Sequence, residues 1–494
     1  MNFLRPFILH PFTRFRSANL ALIAFCLASL ILLAFSQHKA ILRIPALVHN
    51  DFARLPPLYP EYDEEERKLP QHNEDAPFPD GRHARFIRFD NQIWGLGLNN
   101  QLFEILLNSE IARRAERSYA FTPYVWKRGA WGEYIDVEEN NHLVGSSAKV
   151  RAARVPLRAI IQSPTSGEPW PTLADEPSTS PPRAVSERWY EHMCPRYKRL
   201  VINPEETNKE IGVDFERDDT LVILDKWAEY LRNLDHPCVH IKYNTPRIID
   251  FRTMGSPTLE SLWPSFSTSP VMTAFAWSPL VHNAVERNLD SLHLRSGDSP
   301  PHDPPSSSVP GLVTLHVRRQ DFKDRTSFSR FAPFHGWSHL SFLPDRIDVA
   351  PGTSEDDRLA YAFPRCWVER STIVERLRLL RTEYADNLAG KTIHLNKVHL
   401  ATNGDAEWVE EVRRTLLDDG WESVTSTYDL MLGWEERGVP VDDMEFASRG
   451  EVFVGNGFST FTSTVVLLRL SSGLPLNQTW FWRRIGGSSR GIAA

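Results

Sequence analysis

Two adjacent arginines directly follow an apolar run in the middle of the chain. Residues 312–317 are mostly β-favouring and predict a strand buried on both faces. Ligands bind at the carboxyl edge of open α/β sheets, and this edge would carry His316, Arg318, Arg319 and Asp321. A guanidinium binds phosphate oxygens through paired hydrogen bonds and stays charged at physiological pH. The pattern predicts a diphosphate site. The alternative is a pair of surface arginines balanced by Asp321.

A second polar turn follows a strand predicted at residues 451–456. Its sequence, GNGFSTFTS, leads into a helix predicted at 459–470. Backbone N–H groups at a helix N-terminus bind anions, which places Ser459 and Thr460 beside phosphate oxygens. Alternatively, Ser459 only caps its helix.

A third turn, containing Gly95 and Gly97, follows a strand predicted at residues 86–89 and opens a helix with apolar residues at helical spacing. Such a turn brings backbone N–H groups close to an anionic or sugar ligand. It lacks the third glycine of the dinucleotide fingerprint. Asn99 and Asn100 are either ligand contacts or an N-cap with its neighbour.

Helices and strands alternate around these turns, which predicts an α/β protein with parallel, Rossmann-like sheets. A Pro/Ser-rich segment separates two lobes. We expect an N-terminal lobe at 81–295, a linker at 296–310, a C-terminal lobe at 311–480 and a tail at 481–494. Between residues 140 and 295 the sequence pattern is less regular, and it predicts a strand at 221–224 and a helix at 271–292.

Composition limits the class of protein. The chain has 494 residues, of which 41% are hydrophobic and 24% charged, enough for two or three domains. A formal net charge of −7 argues against a nucleic-acid partner, for which a basic domain is expected. An anionic ligand must therefore be bound by local positive charges.

The N-terminus predicts a membrane anchor. Residues 18–36 are apolar apart from Asn19, Ser29 and Ser36 and would span about 28 Å as a helix. Arginines in the preceding tail, residues 1–17, favour a single-pass type II orientation. The short span suits the endoplasmic reticulum or Golgi. The alternative is a cleaved signal peptide. Both the membrane anchor and the signal peptide would place the residues after 36 in the lumen.

Residues 37–80 are rich in proline and carboxylates and predict a disordered stem. If Cys26 lies in the membrane, the remaining three cysteines allow one disulfide at most. We expect it between Cys194 and Cys238, because both fall in the first half, although sequence alone leaves the connectivity open. Asn477 begins an N-glycosylation sequence.

Three motifs in this order, GLGLNNQLFE, HVRRQDF and DMEFASRGEVFVGNGFSTFTS, resemble those of the GDP-fucose protein O-fucosyltransferase family. The resemblance covers most of residues 81–475. It implies a GT-B fold of two Rossmann-like lobes, with the nucleotide sugar held mainly by the C-terminal lobe. It also implies inverting fucose transfer from GDP-fucose to a protein or glycan hydroxyl, without a metal or other cofactor. The chain agrees in containing no Asp-x-Asp motif.

The resemblance also implies roles for single residues. Arg318 matches an arginine that contacts the diphosphate and the glycosidic oxygen, with His316 beside it. Asp443 matches an acid near the guanine base, whereas Arg319 and Asp321 would support the loop. The remaining expected contacts to the nucleotide sugar or acceptor are Gly97, Asn99, Asn100, Ser459, Thr460 and Phe461.

The catalytic base is open. One branch of the family has a catalytic glutamate between the two glycines of the first motif, where this chain has Leu96. Either Asp90 or Glu104 replaces it, or the phosphate or water accepts the proton. Arg318 is expected to stabilise the negative charge that develops on the leaving group. Two alternatives remain: a transferase for another nucleotide sugar, and a non-catalytic lumenal binding or scaffold protein of the same fold.

Overall fold

A computed structural model describes most of the chain between residues 59 and 483. The ranges are 59–126, 134–136, 150–152, 154–171, 180–215, 217–249, 251–294, 308–319, 336–347, 354–387, 394–433, 436 and 442–483. The predicted cytosolic tail (1–17) and membrane span (18–36) lie outside them. Within these ranges, no helix combines the length and the apolar character that crossing a bilayer requires.

The strands of the N-terminal lobe form one five-stranded sheet and two antiparallel pairs. In chain order they are β1 (Phe86–Phe89), β2 (Ser118–Phe121), β3 (Tyr124–Val125), β4 (Tyr134–Asp136), β5 (Val150–Ala152), β6 (Arg154–Val155), β7 (Val185–Ser186), β8 (Leu200–Ile202) and β9 (Cys238–Ile241). The large sheet has the order β7-β2-β1-β9-β8, and all its neighbours are parallel. The predicted parallel sheet is confirmed.

The N-terminal lobe surrounds one long buried helix. Its helices are α1 (Tyr59–Arg67), α2 (Leu98–Arg114), α3 (Glu187–Met193), α4 (Pro204–Glu210), α5 (Thr220–Asn233), α6 (Phe251–Met254), α7 (Trp263–Phe266), α8 (Pro270–Thr273) and α9 (Pro279–Ser291). Most side chains of α2 are buried, in agreement with its apolar sequence. Because α2 starts directly after Gly97, the packed helix fixes the position of the glycine turn.

The C-terminal lobe is a second parallel sheet covered by helices. Its strands are β10 (Val309–Val317), β11 (Lys397–Thr402), β12 (Ser423–Ser426), β13 (Gly450–Gly455) and β14 (Thr479–Phe481). Its helices are α10 (Glu355–Cys366), α11 (Arg370–Asn387), α12 (Ala406–Asp418), α13 (Asp442–Arg449) and α14 (Thr460–Ser471). The order β12-β11-β10-β13-β14 corresponds to the first five strands of the Rossmann order 3-2-1-4-5-6.

A shared hydrophobic core joins the two lobes. Helix α2 packs against α14, and Leu102 and Phe103 belong to the same buried cluster as Val465 and Val466. These helices are the two that begin at the glycine-containing turns. Their packing therefore holds the two turns in a defined relationship.

The predicted stem is wrong in its second part. Residues 59–67 form α1, with Tyr59 and Tyr62 buried, and the Tyr62 hydroxyl accepts a hydrogen bond from the Leu280 N–H at 3.2 Å. Two tyrosines three residues apart lie on one face of a helix. They pack this acidic segment onto the lobe, which its overall composition did not indicate.

Two predicted elements of the middle region are also wrong. Residues 221–224 belong to α5, because Ile223, Leu224 and Trp227 are buried on one face of a helix. The helix predicted at 271–292 is divided into α8 and α9. Pro279 starts the second helix, and a proline disfavours helical geometry in the residue before it.

The cysteines of the N-terminal lobe form the disulfide expected from the sequence. Cys194 follows α3 and Cys238 begins β9, with a Cα–Cα distance of 5.6 Å. Cys366 is free and buried at the end of α10.

Candidate active site

His316 links the end of β10 to the start of α14. Its Nδ1 lies 2.8 Å from the Thr462 Oγ1, and its ring stacks on Phe461 with 4.4 Å between centroids. Burial, with a smaller contribution from the Arg318 charge, lowers the pKa of His316 to about 3. The imidazole is therefore neutral at physiological pH. It positions its neighbours and adds no positive charge.

The two adjacent arginines have different environments. The Arg319 guanidinium lies between two indole rings, 3.8 Å from the centroid of Trp367 and 4.5 Å from that of Trp408. It also donates a hydrogen bond to the Val368 carbonyl at 3.0 Å. The Arg319 side chain is therefore engaged with groups of the C-terminal lobe. Arg318 is half-buried at the end of the strand, and Asp321 lies outside the described residues.

The positive charge of Arg318 affects the pKa of two buried side chains near the end of β10. It contributes to lowering the pKa of His316. It also opposes the rise that burial causes in the pKa of Cys366. The Arg318 charge therefore reaches two buried groups near the end of β10.

The turn between β13 and α14 contains two buried polar atoms whose hydrogen bonding is unsatisfied. Among the described residues, neither the Asn456 Nδ2 nor the Ser459 Oγ has a hydrogen-bond partner, and the two residues are 0% and 2% exposed. The Asn456 Oδ1 accepts from the Phe458 N–H at 3.0 Å and from the Cys366 thiol at 3.3 Å. These bonds fix the carboxamide. An unpaired buried polar group costs about 1–3 kcal/mol, so a ligand that pairs with both atoms gains affinity.

Gly457 is required by close packing in the same turn. A Cβ at this position would lie 2.0 Å from the Ile347 Cδ1. The glycine therefore lets the turn lie against the segment around Ile347 while Asn456 and Ser459 stay buried.

Sheet topology brings Arg318 and the β13–α14 turn together. The chain passes from β10 to β11 and β12 on one side, and then places β13 and β14 on the other. The order therefore reverses between β10 and β13, and ligands of open α/β sheets bind outside the carboxyl ends at such a point. Arg318 follows β10, and Ser459 and Thr460 follow β13. The residues predicted to contact a diphosphate therefore follow adjacent strands at the same edge of the sheet.

Asp443 lies on α13, over the neighbouring strands. Its carboxylate accepts a hydrogen bond from the Thr427 hydroxyl at 2.8 Å and lies 3.4 Å from the His399 Nε2. The Thr427 Oγ1 also accepts from the Thr402 N–H at 3.1 Å, and the Thr402 hydroxyl donates to the Val317 carbonyl at 2.5 Å. A chain of hydrogen bonds thus connects Asp443 with the residue that precedes Arg318.

The glycine turn of the N-terminal lobe is fixed by Gln101, which the sequence did not single out. The Gln101 Nε2 donates to the carbonyls of Leu96 and Val125, at 2.8 and 2.9 Å. Asn99 and Asn100 form the first turn of α2. Among the described residues, the buried Asn99 Oδ1 has no hydrogen-bond partner.

Glu104 does not fit the role of catalytic base. It is 0% exposed, accepts a hydrogen bond from the Ile93 N–H at 2.8 Å, and forms an ion pair with Arg247 at 2.9 Å. These contacts hold the segment before the glycine turn. Asp90, in contrast, follows β1 with 31% of its side chain exposed.

Asp90 is held in its charged form. Hydrogen bonds from His240 and Arg88, together with their charges, lower the pKa of the Asp90 carboxyl. A carboxylate with a low pKa is a weak base. Asp90 is therefore better suited to accept hydrogen bonds from a ligand than to remove a proton from it.

Two further predictions concern modification and metal binding. Asn477 is exposed in a short turn, as an N-glycosylation site requires. Within the described ranges, no three His, Cys, Asp or Glu side chains are grouped so that they could hold a metal ion.

Comparisons with known proteins find similarity in structure only. No protein-family model and no curated protein sequence matches the chain. The solved structure of POFUT1 in complex with GDP-fucose is 12% identical, with a TM-score of 0.45, over 81% of this chain and 98% of that one. A complex of POFUT1 with GDP is 14% identical over the same shares, with a TM-score of 0.43. The POFUT1 apo-form is 12% identical over 83% and 99%, with a TM-score of 0.45. Such low values do not identify the activity of this chain.

Proposed function

We propose that the chain is an inverting, metal-independent glycosyltransferase of GT-B type that moves fucose from GDP-fucose to a hydroxyl of a protein or glycan. The observation that carries the proposal is the sheet edge where the adjacent strands β10 and β13 end. It combines the Arg318 charge, a helix N-terminus and two buried polar atoms without partners among the described residues. This combination suits a diphosphate. The three sequence motifs support GDP-fucose as the donor.

In the proposed reaction, the acceptor oxygen forms a bond to the anomeric carbon as the bond from that carbon to the diphosphate oxygen breaks. The bonding electron pair passes to the diphosphate. Arg318 stabilises this charge, because a fixed cation at the leaving oxygen lowers the barrier. Since Glu104 is buried and the pKa of Asp90 is low, we assign the departing diphosphate as acceptor of the hydroxyl proton.

The remaining contacts position the donor. Ser459, Thr460 and Asn456 would bind phosphate oxygens, and Phe461 and His316 would form the wall beside them. Asp443 would accept hydrogen bonds from the guanine edge, and Gly97, Asn99 and Asn100 would face the sugar and the acceptor. The N-terminal segment would anchor the enzyme, type II, in the Golgi or endoplasmic reticulum. This last part rests on the sequence alone.

The test is a donor screen with the purified full-length protein in detergent. We expect nucleoside diphosphate release from GDP-fucose, with and without EDTA, and much slower release from UDP-glucose and GDP-mannose. Faster release from another donor would indicate a different transferase. Failure to bind GDP in calorimetry would contradict the proposal and favour a non-catalytic protein of this fold.

A further inference from the structure

A crevice lies at the carboxyl edge of the N-terminal sheet. From β1 the chain continues to β2 and β7 on one side, whereas β8 and β9 lie on the other. The order therefore reverses between β1 and β9, which is the position where open α/β sheets bind ligands. Asp90 follows β1 and Tyr243 follows β9, and both line a cavity of about 500 Å³. This volume is within the range of about 300–1,000 Å³ for small-molecule sites.

The charges of this crevice balance each other. Its lining contains two arginines, Arg88 and Arg154, and two carboxylates, Asp90 and Glu187. Arg88 donates to Asp90 at 3.0 Å and to Glu187 at 2.7 Å, and Arg154 lies 3.8 Å from Glu187. A charged ligand would have to compete with these ion pairs. An uncharged ligand with many hydroxyl groups can instead hydrogen-bond to their outer edges without separating them.

Two exposed aromatic rings line the same crevice. Trp94 is 44% exposed and Tyr243 is 45% exposed. Indole and phenol rings offer an apolar face together with a polar edge, so they can pack against the C–H face of a sugar ring. The crevice therefore combines flat apolar surfaces with fixed hydrogen-bonding groups and no net charge.

The crevice also adjoins the glycine turn. Trp94 directly precedes Gly95, and Gln101, which fixes that turn, contributes to the lining. A ligand bound here would therefore lie next to Asn99 and Asn100, the residues expected to face the acceptor.

We propose that this crevice binds a neutral sugar unit of the acceptor, so that the acceptor is a glycan. The assignment of this sugar as acceptor rests on the proposed transferase function. Binding of the sugar to the crevice does not depend on that function, because it is measured without a donor.

The experiment uses the full-length protein and saturation-transfer NMR with the methyl glycosides of glucose, galactose, mannose and N-acetylglucosamine. We expect at least one probe to bind, and Trp94→Ala and Tyr243→Ala each to weaken binding at least tenfold. The control is Tyr197→Ala, which removes an aromatic ring that is 84% exposed and outside the crevice lining. It should bind the probes like the parent.

GDP affinity, measured in parallel by calorimetry, separates the two proposals. We expect all three variants to bind GDP like the parent. If GDP does not bind but the glycosides do, the transferase proposal fails and the sugar site stands. The sugar site is overturned if no glycoside binds, or if Trp94→Ala and Tyr243→Ala bind as well as the parent. An unglycosylated peptide as the acceptor would overturn the assignment of the bound sugar as part of the acceptor.

Discussion

The Nδ1 of His316 lies 2.8 Å from the Oγ1 of Thr462, and this contact joins the last residues of β10 to the first turn of α14. The two elements carry the expected diphosphate contacts, Arg318 on one and Ser459 on the other. Burial lowers the pKa of this imidazole, so the ring is neutral at physiological pH. The contact between β10 and α14 thus involves a histidine that does not titrate near neutral pH.

This histidine predicts a pH dependence of stability. The pKa of His316 is about 3 in the folded protein and about 6.5 when unfolded. Between these values the unfolded chain binds a proton that the folded chain does not, so acidification favours unfolding. Between pH 7 and pH 5 the parent should lose about 2 kcal/mol more stability than His316→Gln. Denaturant unfolding at both pH values tests this, and equal losses in the two proteins would contradict it.

Ser459 is the N-cap residue of α14 and Ser463 lies in the same helix, so the same substitution can be made at a predicted phosphate contact and at a control position. Ser459→Ala removes a hydroxyl that has no partner among the described residues, so stability should change by less than about 0.5 kcal/mol. GDP affinity should fall about 10–100-fold, because a hydrogen bond to a charged phosphate contributes about 1.5–3 kcal/mol.

Ser463→Ala is the control. The Ser463 Oγ accepts a hydrogen bond from the buried Trp337 N–H at 2.9 Å, and its loss should cost about 1–3 kcal/mol of stability with GDP affinity kept. Thermal unfolding and calorimetry measure both quantities. Equal effects of the two substitutions on GDP affinity would remove Ser459 from the site.

Asn456→Asp changes one atom of the turn. Asp keeps the acceptor for the Phe458 N–H but replaces the Nδ2, which has no partner among the described residues, with a negatively charged oxygen. We expect the fold to be retained and GDP binding to weaken by about 100-fold or more, because like charges repel at short range. Circular dichroism checks the fold, and calorimetry measures the affinity. Unchanged GDP binding would show that the Nδ2 does not face the phosphates.

Asp443→Asn tests recognition of the base. The asparagine oxygen can still accept from the Thr427 hydroxyl, but the negative charge is lost. GDP affinity should fall about 10–100-fold, whereas weak binding of ADP should not change. Competition between GDP and ADP measures the preference. A variant that still prefers GDP as strongly as the parent would place the guanine elsewhere.

The sequence predicted the C-terminal lobe better than the N-terminal one, for physical reasons. Strands β11 and β13 are short segments that contain valine and end at polar turns, which is a clear signal. Residues 221–224 are also a short apolar segment, yet Ile223 and Trp227, four residues apart, are both buried on one helix. Helix α1 has an acidic composition, but it packs onto the lobe because Tyr59 and Tyr62 are buried there.

Among site residues, Arg318 and Ser459 could be located because each follows a predicted strand. Asn456 could have been noticed as a polar residue between two glycines directly after a buried strand. Its role depends on Cys366, 90 positions away, and no local pattern reveals such a contact. Glu104 is excluded as the catalytic base partly by its ion pair with Arg247, which is also a contact between residues far apart in the sequence.

The central claim is that a fixed guanidinium stabilises the departing diphosphate, and Arg318→Lys tests it most directly. Lysine keeps the charge but loses the planar pair of N–H donors. The rate of GDP release from GDP-fucose should fall about 10²–10³-fold, and EDTA should not affect the parent. A variant that releases GDP as fast as the parent, or a parent inactivated by EDTA, would contradict the claim.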